Sequence, residues 1–182
     1  MTISKPWLLG LAAIVIGSSL MMSGCASTSP SEYANEKPVL DLRKYFSGTL
    51  DGHGMLLNRS GKVTRRFYVE VVVTTDGDTV KLNEDFTWSD GEKQQRIWTL
   101  RQKADGGWIG TAPDVVGEAE GVLSGNALRW NYVLQVPVDG KTYDITFDDW
   151  MFLIDDKVLL NRAIMSKFGF RVGELVVSFT RR

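Results

Sequence analysis

From Phe46 onward, apolar and polar side chains alternate with a period of two. Val63, Phe67, Val69, Val71 and Val73 share one parity, as do Val80, Leu82, Phe86 and Trp88, and again Leu128, Trp130, Tyr132, Leu134 and Val136. The other parity carries Thr64, Arg66, Glu70 and Thr74, then Lys81, Asn83, Asp85 and Thr87, then Arg129, Asn131 and Gln135. Successive side chains of a strand point to opposite faces, so this pattern predicts strands with one dry face and one wet face. Between the runs, glycine sits beside Asn, Asp or Ser at Ser60-Gly61, Asp76-Gly77, Asp90-Gly91, Asp105-Gly106-Gly107, Gly125-Asn126 and Asp139-Gly140, and Asp155-Asp156-Lys157 continues the series. Such pairs supply the positive φ that tight hairpins need.

The glycine turns are about 14 to 19 residues apart, wider than the roughly 8 to 12 of an immunoglobulin-like sandwich, which leaves strands of about ten residues. No stretch after Phe46 has a 3.6-residue apolar period, so a parallel sheet with crossover helices has no material to be built from. The expected fold is all-β: an antiparallel up-and-down meander of about 8 to 10 strands, closed into a barrel that removes exposed edges. An open, strongly curved sheet wrapped round a helix is the alternative. A barrel of this size is either filled by side chains or just able to hold one small ligand. Ahead of it, Pro38 to Phe46 predicts a short helical turn opening at Pro38.

The first 37 residues follow other rules. An apolar run from Trp7 to Met22, behind the single cation Lys5, leads through Ser23 and Gly24 to Cys25, the only cysteine. The run is interrupted by Gly17, Ser18 and Ser19 and falls short of the roughly 20 apolar residues of a spanning helix, so it reads as a secretory signal. Leu20-Met21-Met22-Ser23-Gly24-Cys25 resembles the bacterial lipobox, with Met22 in place of the more usual Leu. The resemblance implies cleavage before Cys25, a diacylglycerol on its thiol and a third acyl chain on its amine. Ala26, where an Asp would favour the inner membrane, implies an outer-membrane lipoprotein facing the periplasm. The expected organisation is a signal peptide over 1–24, an acylated cysteine and flexible tether over 25–37, and one barrel domain over 38–182. The mature net charge of about −2 leaves no basic excess for nucleic acid, and lipidation of Cys25 leaves no thiol for a disulfide.

Catalytic chemistry has little to stand on. His53 is the only histidine, so a His- or Cys-rich zinc site cannot be assembled, and it reads as a structural or exposed residue. Asp148-Asp149 and Asp155-Asp156 are adjacent pairs, which a strand sends to opposite faces, so neither makes a glycosidase-type carboxylate pair, and Asp155-Asp156 reads as a turn. Asn58-Arg59-Ser60 reads as a strand end and turn. No nucleophile elbow or phosphate loop is present, and neither enzyme activity nor a cofactor nor a metal is expected.

Four charges fall in the apolar parity instead: Glu84 with Leu82 and Phe86, Arg96 with Trp98 and Leu100, Asp149 with Phe147 and Met151, and Arg162 with Leu160 and Ile164. If parity holds they point inward, where charges persist only when paired and hydrogen-bonded. A β-bulge near Asp148-Asp149 would turn Asp149 outward, and rim positions would expose Arg96 or Arg162. Trp88, Trp98, Trp130 and Trp150 lie in strands, where rings serve as core or as cavity wall. The candidate ligand-binding set is Glu84, Trp88, Arg96, Trp98, Trp130 and Arg162.

The run from Phe147 to Arg162, with Met165-Ser166-Lys167-Phe168-Gly169 after it and Leu40-Asp41-Leu42 and Asp85-Phe86 before it, resembles a family of Gram-negative lipoproteins known only as a domain of unknown function. That resemblance implies a family and no activity. The meander and its leading helical turn are also similar to the lipocalin superfamily, although Gly52-His53-Gly54 stands where a lipocalin carries Gly-x-Trp. Two functions are therefore expected: a lipid-anchored barrel that holds a lipid or other hydrophobic small molecule, or a filled barrel whose surface docks a partner protein.

Overall fold

The computed structural model describes residues 28–182. The signal segment and Cys25 lie outside the described residues. Ten antiparallel strands, β1 (Thr49–Asn58), β2 (Val63–Asp76), β3 (Thr79–Trp88), β4 (Lys93–Gln102), β5 (Trp108–Thr111), β6 (Ala119–Ser124), β7 (Ala127–Val138), β8 (Lys141–Leu153), β9 (Val158–Lys167) and β10 (Phe170–Arg181), run in sequence order round a closed barrel in which β1 pairs with β10. Gly61, Gly77, Gly91, Gly106, Gly125 and Gly140 of the expected turns take positive φ, from 55° at Gly77 and Gly125 to 88° at Gly91. Asp155 closes its own turn by accepting from the amides of Lys157 and Val158, both at 2.8 Å. Asn58 does the same for Ser60 and Lys62 at 3.0 Å.

Three departures from strict alternation matter. The β1–β2 register shifts between Leu56 and Leu57, so Thr64 is the extra residue. Val63, expected on the dry face, is therefore 41% exposed. Strands β5 and β6 are only four and six residues long, and the loop between them runs along β7 instead, with Val116 N donating to Val133 O at 2.9 Å and Gln135 N to Asp114 O at 2.8 Å. Pro113 has no amide to give to a ladder, which suits it to this loop rather than a central strand. The β9–β10 turn uses Phe168 and Gly169, both at positive φ, with Phe168 and Phe170 left 88% and 70% exposed.

One end of the barrel is plugged. The helix α1 (Leu42–Tyr45) is opened by Asp41, whose carboxylate accepts from the amides of Arg43 and Lys44 at 3.0 and 3.2 Å. Pro38, expected at the first helical position, lies four residues earlier, because the Asp41 cap satisfies orphan amides that proline cannot. Leu40, Leu42, Tyr45 and Phe46 are buried across the barrel floor. The Tyr45 hydroxyl donates to the carbonyls of Lys157 and Phe179 at 3.1 and 3.2 Å, and Arg43 reaches the carbonyl of Asp78 at 3.0 Å.

The expected tether is, from Ser29 on, laid against the wall. Pro30–Tyr33 form a 3-10 turn held by a Ser29–Glu32 capping box, and the Tyr33 ring meets Trp150 and Phe152 edge-on, with centroids 5.6 and 5.1 Å away. Leu40 N donates to Gly125 O at 2.8 Å. Two adjacent aromatic rings on the outer face of β8 provide an apolar surface that the tether covers.

Glycines inside the barrel make room for rings. A Cβ on Gly54 would lie 2.2 Å from the Phe67 ring, and one on Gly121 would lie 2.2 Å from Trp130. This gives Gly52-His53-Gly54 its meaning: glycines inward under Phe67, Val69 and Phe179, and His53 outward and exposed beside Tyr68 at 5.3 Å. Gly54→Ala should therefore lower stability by about 1 to 3 kcal/mol through overpacking, while His53→Ala should stay within about 0.5 kcal/mol. Urea denaturation of the two variants checks the contrast.

Candidate functional site: the barrel cavity

The interior holds a cavity of about 430 Å³ above the α1 plug. Its walls are aromatic because the inward parity of β2, β3, β4, β7 and β8 delivers Phe67, Phe86, Trp88, Trp98, Trp130, Tyr132 and Phe147. Tyr132 stacks on Phe147 with centroids 4.9 Å apart, and Trp98 meets Tyr132 edge-on at 5.3 Å. Trp98 and Trp130 are buried, and Trp88 is half-buried nearer the mouth. At the mouth, Arg65 lies 4.1 Å over Trp88 and donates to Asp90 and Glu92, both at 2.8 Å. Arg65 shares the inward parity of Phe67 and Val69, and the regular register of β2 beyond the Thr64 bulge keeps it at the cavity.

Glu84, Arg96 and Asp149 face the cavity, as their parity predicts. Arg162 does not. The inner parity of β9 is Leu159, Asn161, Ala163 and Met165, whereas Leu160 is 44% exposed. The two parities of β9 are nearly equal in apolar content, so sequence alternation alone could not orient the strand. On the outer wall Arg162 joins Arg171 in pairing with Glu174. Trp150 also faces outward, under Tyr33. The β7–β8–β9 register runs through Asp148 and Asp149 without a shift, so no bulge turns Asp149 to solvent.

Each inward charge has a definite environment. Arg96 sits directly across from Glu84 in the β3–β4 register, but its hydrogen bonds go to Asp114, from Nε at 3.0 and 3.1 Å and from Nη2 at 2.8 Å. Asp114 comes from the β5–β6 loop. It lies outside any strand, so alternation gave no signal for it. Asp149 is 3% exposed; Asn161 donates to its Oδ1 and the Tyr132 hydroxyl to its Oδ2 at 3.3 Å. Burial pushes the Asp149 carboxyl up to about 7, against the lowering effect of Asn161 and Tyr132. Burial likewise pushes Glu84 up to about 7, against the attraction of Arg96. The Tyr132 hydroxyl is raised well above its ordinary value by burial and by Asp149. The result is an apolar chamber with two deep carboxyls poised near neutrality, and a guanidinium held by a carboxylate nearer the rim.

Two predictions follow from this geometry. A carboxyl whose pKa is raised by folding holds its proton longer in the folded chain, so it costs stability as pH rises from its unfolded value of about 4, and the cost levels off above the folded value. Replacing both deep carboxyls, Glu84→Gln with Asp149→Asn, should therefore give a gain over the parent that grows between pH 4 and about 7. A difference in urea midpoint that stays constant over that range contradicts the burial of the two groups. Arg96→Leu should cost about 2 to 3 kcal/mol, at or below the usual cost of breaking a buried pair because Asp114 still reaches solvent, whereas Arg162→Leu should cost about 1 kcal/mol or less, since Arg171 remains for Glu174.

Comparison with solved structures places this barrel among meander barrels. A protein of unknown function from the DUF3598 family of Nostoc punctiforme aligns with a TM-score of 0.56 at 16% identity over 81% of this chain, which spans about half (51%) of that chain's length. An S-type phycobiliprotein lyase from Guillardia theta aligns with a TM-score of 0.53 at 11% identity, covering 79% of this chain and 93% of the lyase. Lobster apocrustacyanin A1 aligns more weakly, with a TM-score of 0.38 at 16% identity over 87% of this chain and 71% of its own. At these identities the likeness is one of fold. No curated protein matches the sequence. The sequence does match a family described as protein of unknown function over residues 19–181, so the chain belongs to the DUF3833 family.

Proposed function

We propose that this protein is an outer-membrane-anchored envelope lipoprotein whose barrel holds a hydrophobic or amphipathic small molecule. The observation that carries the reading is the 430 Å³ chamber. A filled scaffold has no use for such a space, and the chamber is of the size and aromatic lining usual for small-molecule sites. One end is plugged by α1, and the rim of the other end carries exposed Val116, Val138, Phe168 and Phe170, an apolar mouth to the chamber.

Anchoring rests on the Leu20–Cys25 stretch and on Ala26. With Ser29 onward docked beside the β6–β7 turn, only Cys25–Thr28 separate the lipid from the barrel, a reach of about 14 Å at full extension. The plugged end then sits by the anchoring bilayer and the mouth opens away from it. Three acyl chains give firm attachment where a single chain gives a marginal one.

Residues 27–182, which contain the whole barrel, plug and docked segment, should leave a periplasmic expression host with a host-derived hydrophobe still bound in native mass spectrometry. Protein that emerges empty and also fails to enhance N-phenyl-1-naphthylamine fluorescence contradicts the reading and favours a protein-docking scaffold. Separately, Cys25→Ala in the full chain should abolish palmitate labelling and release the folded domain from the membrane fraction.

A further inference from the structure

The charge inventory of the cavity says more than that it is hydrophobic. Its lining carries two cations, Arg65 and Arg96, and four carboxylates, Glu84, Glu92, Asp114 and Asp149. Both cations are already engaged by carboxylates near the rim: Arg96 by the two oxygens of Asp114, and Arg65 by Glu92 together with Asp90. That leaves Glu84 and Asp149 in the chamber without a cation of their own. Glu84 makes no side-chain hydrogen bond among the described residues, and Asp149 receives only neutral donors, from Asn161 and Tyr132.

Resting on the carrier reading above, we propose that the chamber selects an amphipathic ligand with a protonated amine head, seated between Glu84 and Asp149 against the faces of Trp98, Trp130 and Tyr132, and rejects the same tail ending in a carboxylate. An ammonium gains from both kinds of wall. The carboxylates supply charge-assisted hydrogen bonds, and aromatic faces attract cations most strongly where water is excluded. A ligand carboxylate entering the chamber would have to use Arg96, since Arg65 at the mouth is held by Asp90 and Glu92. There it would meet Asp114, already bidentate on that group, and Glu84 directly across the strand pair. Like charges brought together in this way are costly.

The test is a matched-tail competition. Dodecylamine, dodecanol and dodecanoate, each below its micelle concentration, displace N-phenyl-1-naphthylamine from residues 27–182 at pH 8, where the amine and the acid are both ionised. The amine should displace the probe at a concentration lower than the carboxylate by roughly tenfold or more, with the alcohol between them. Glu84→Gln with Asp149→Asn should bring the ratio close to one, while Arg162→Leu on the outer wall should leave it at the parent value. Dodecanoate binding as tightly as dodecylamine to the parent overturns the inference even if the double variant fails to fold, and leaves the carrier reading intact. Displacement by none of the three overturns both.

Discussion

Closing ten strands on themselves leaves no free edge, but it also creates an interior wider than strand side chains fill easily. Only every second residue can reach that interior. Everything else in the molecule answers to this constraint. At the plugged end the shortfall is met by α1, which sends Leu42, Tyr45 and Phe46 across the floor. In the middle it is met by large rings, two of which lie against glycine of the neighbouring strand, Phe67 against Gly54 and Trp130 against Gly121. Rings pressed outward over glycines line a space rather than plug it. The chamber is thus a product of the same pairs that make the wall dense.

The wall's one thin sector has a consequence for charge. Because β5 and β6 stop short, the upper part of the barrel beside β7 is completed by the 112–118 loop, and that loop inserts Asp114 where a strand residue would have been fixed by parity. Asp114 captures Arg96 in a bidentate pair that leaves the facing Glu84 with only distant attraction. A longer β5–β6 hairpin would have left Arg96 to Glu84, and the chamber would hold a neutral pair. As built, its deep charges are acidic.

Much of this was legible in the sequence, and the limits are instructive. Alternation and Gly turns gave the class, the closure and the inward setting of Glu84, Arg96 and Asp149, because in those strands one parity is clearly apolar. They failed on β9, where Leu160 and Ile164 balance Leu159 and Ala163, so Arg162 was turned the wrong way. They failed also where the chain leaves the ladder: the Thr64 bulge turns Val63 to solvent, and Asp114 stands in a loop. The docking of Tyr33 on Trp150 and Phe152 was hidden because a short polar segment shows no period. Local pattern reads strands well and reads poorly the segments that strands position.

The two deep carboxyls set stability against use. Neutral side chains of the same shape would satisfy Asn161 and Tyr132 without the penalty of a buried ionised group, and such replacements are often stabilising in proteins. The penalty is tolerable near neutrality because burial holds both groups close to half-protonated, so much of the charge is never formed in the empty barrel. A bound molecule that favours their ionised form reverses the balance: it binds the folded state alone and stabilises it in proportion to its affinity. The proposed amphipathic ligand is what would offset the cost of keeping acidic groups in an aromatic chamber.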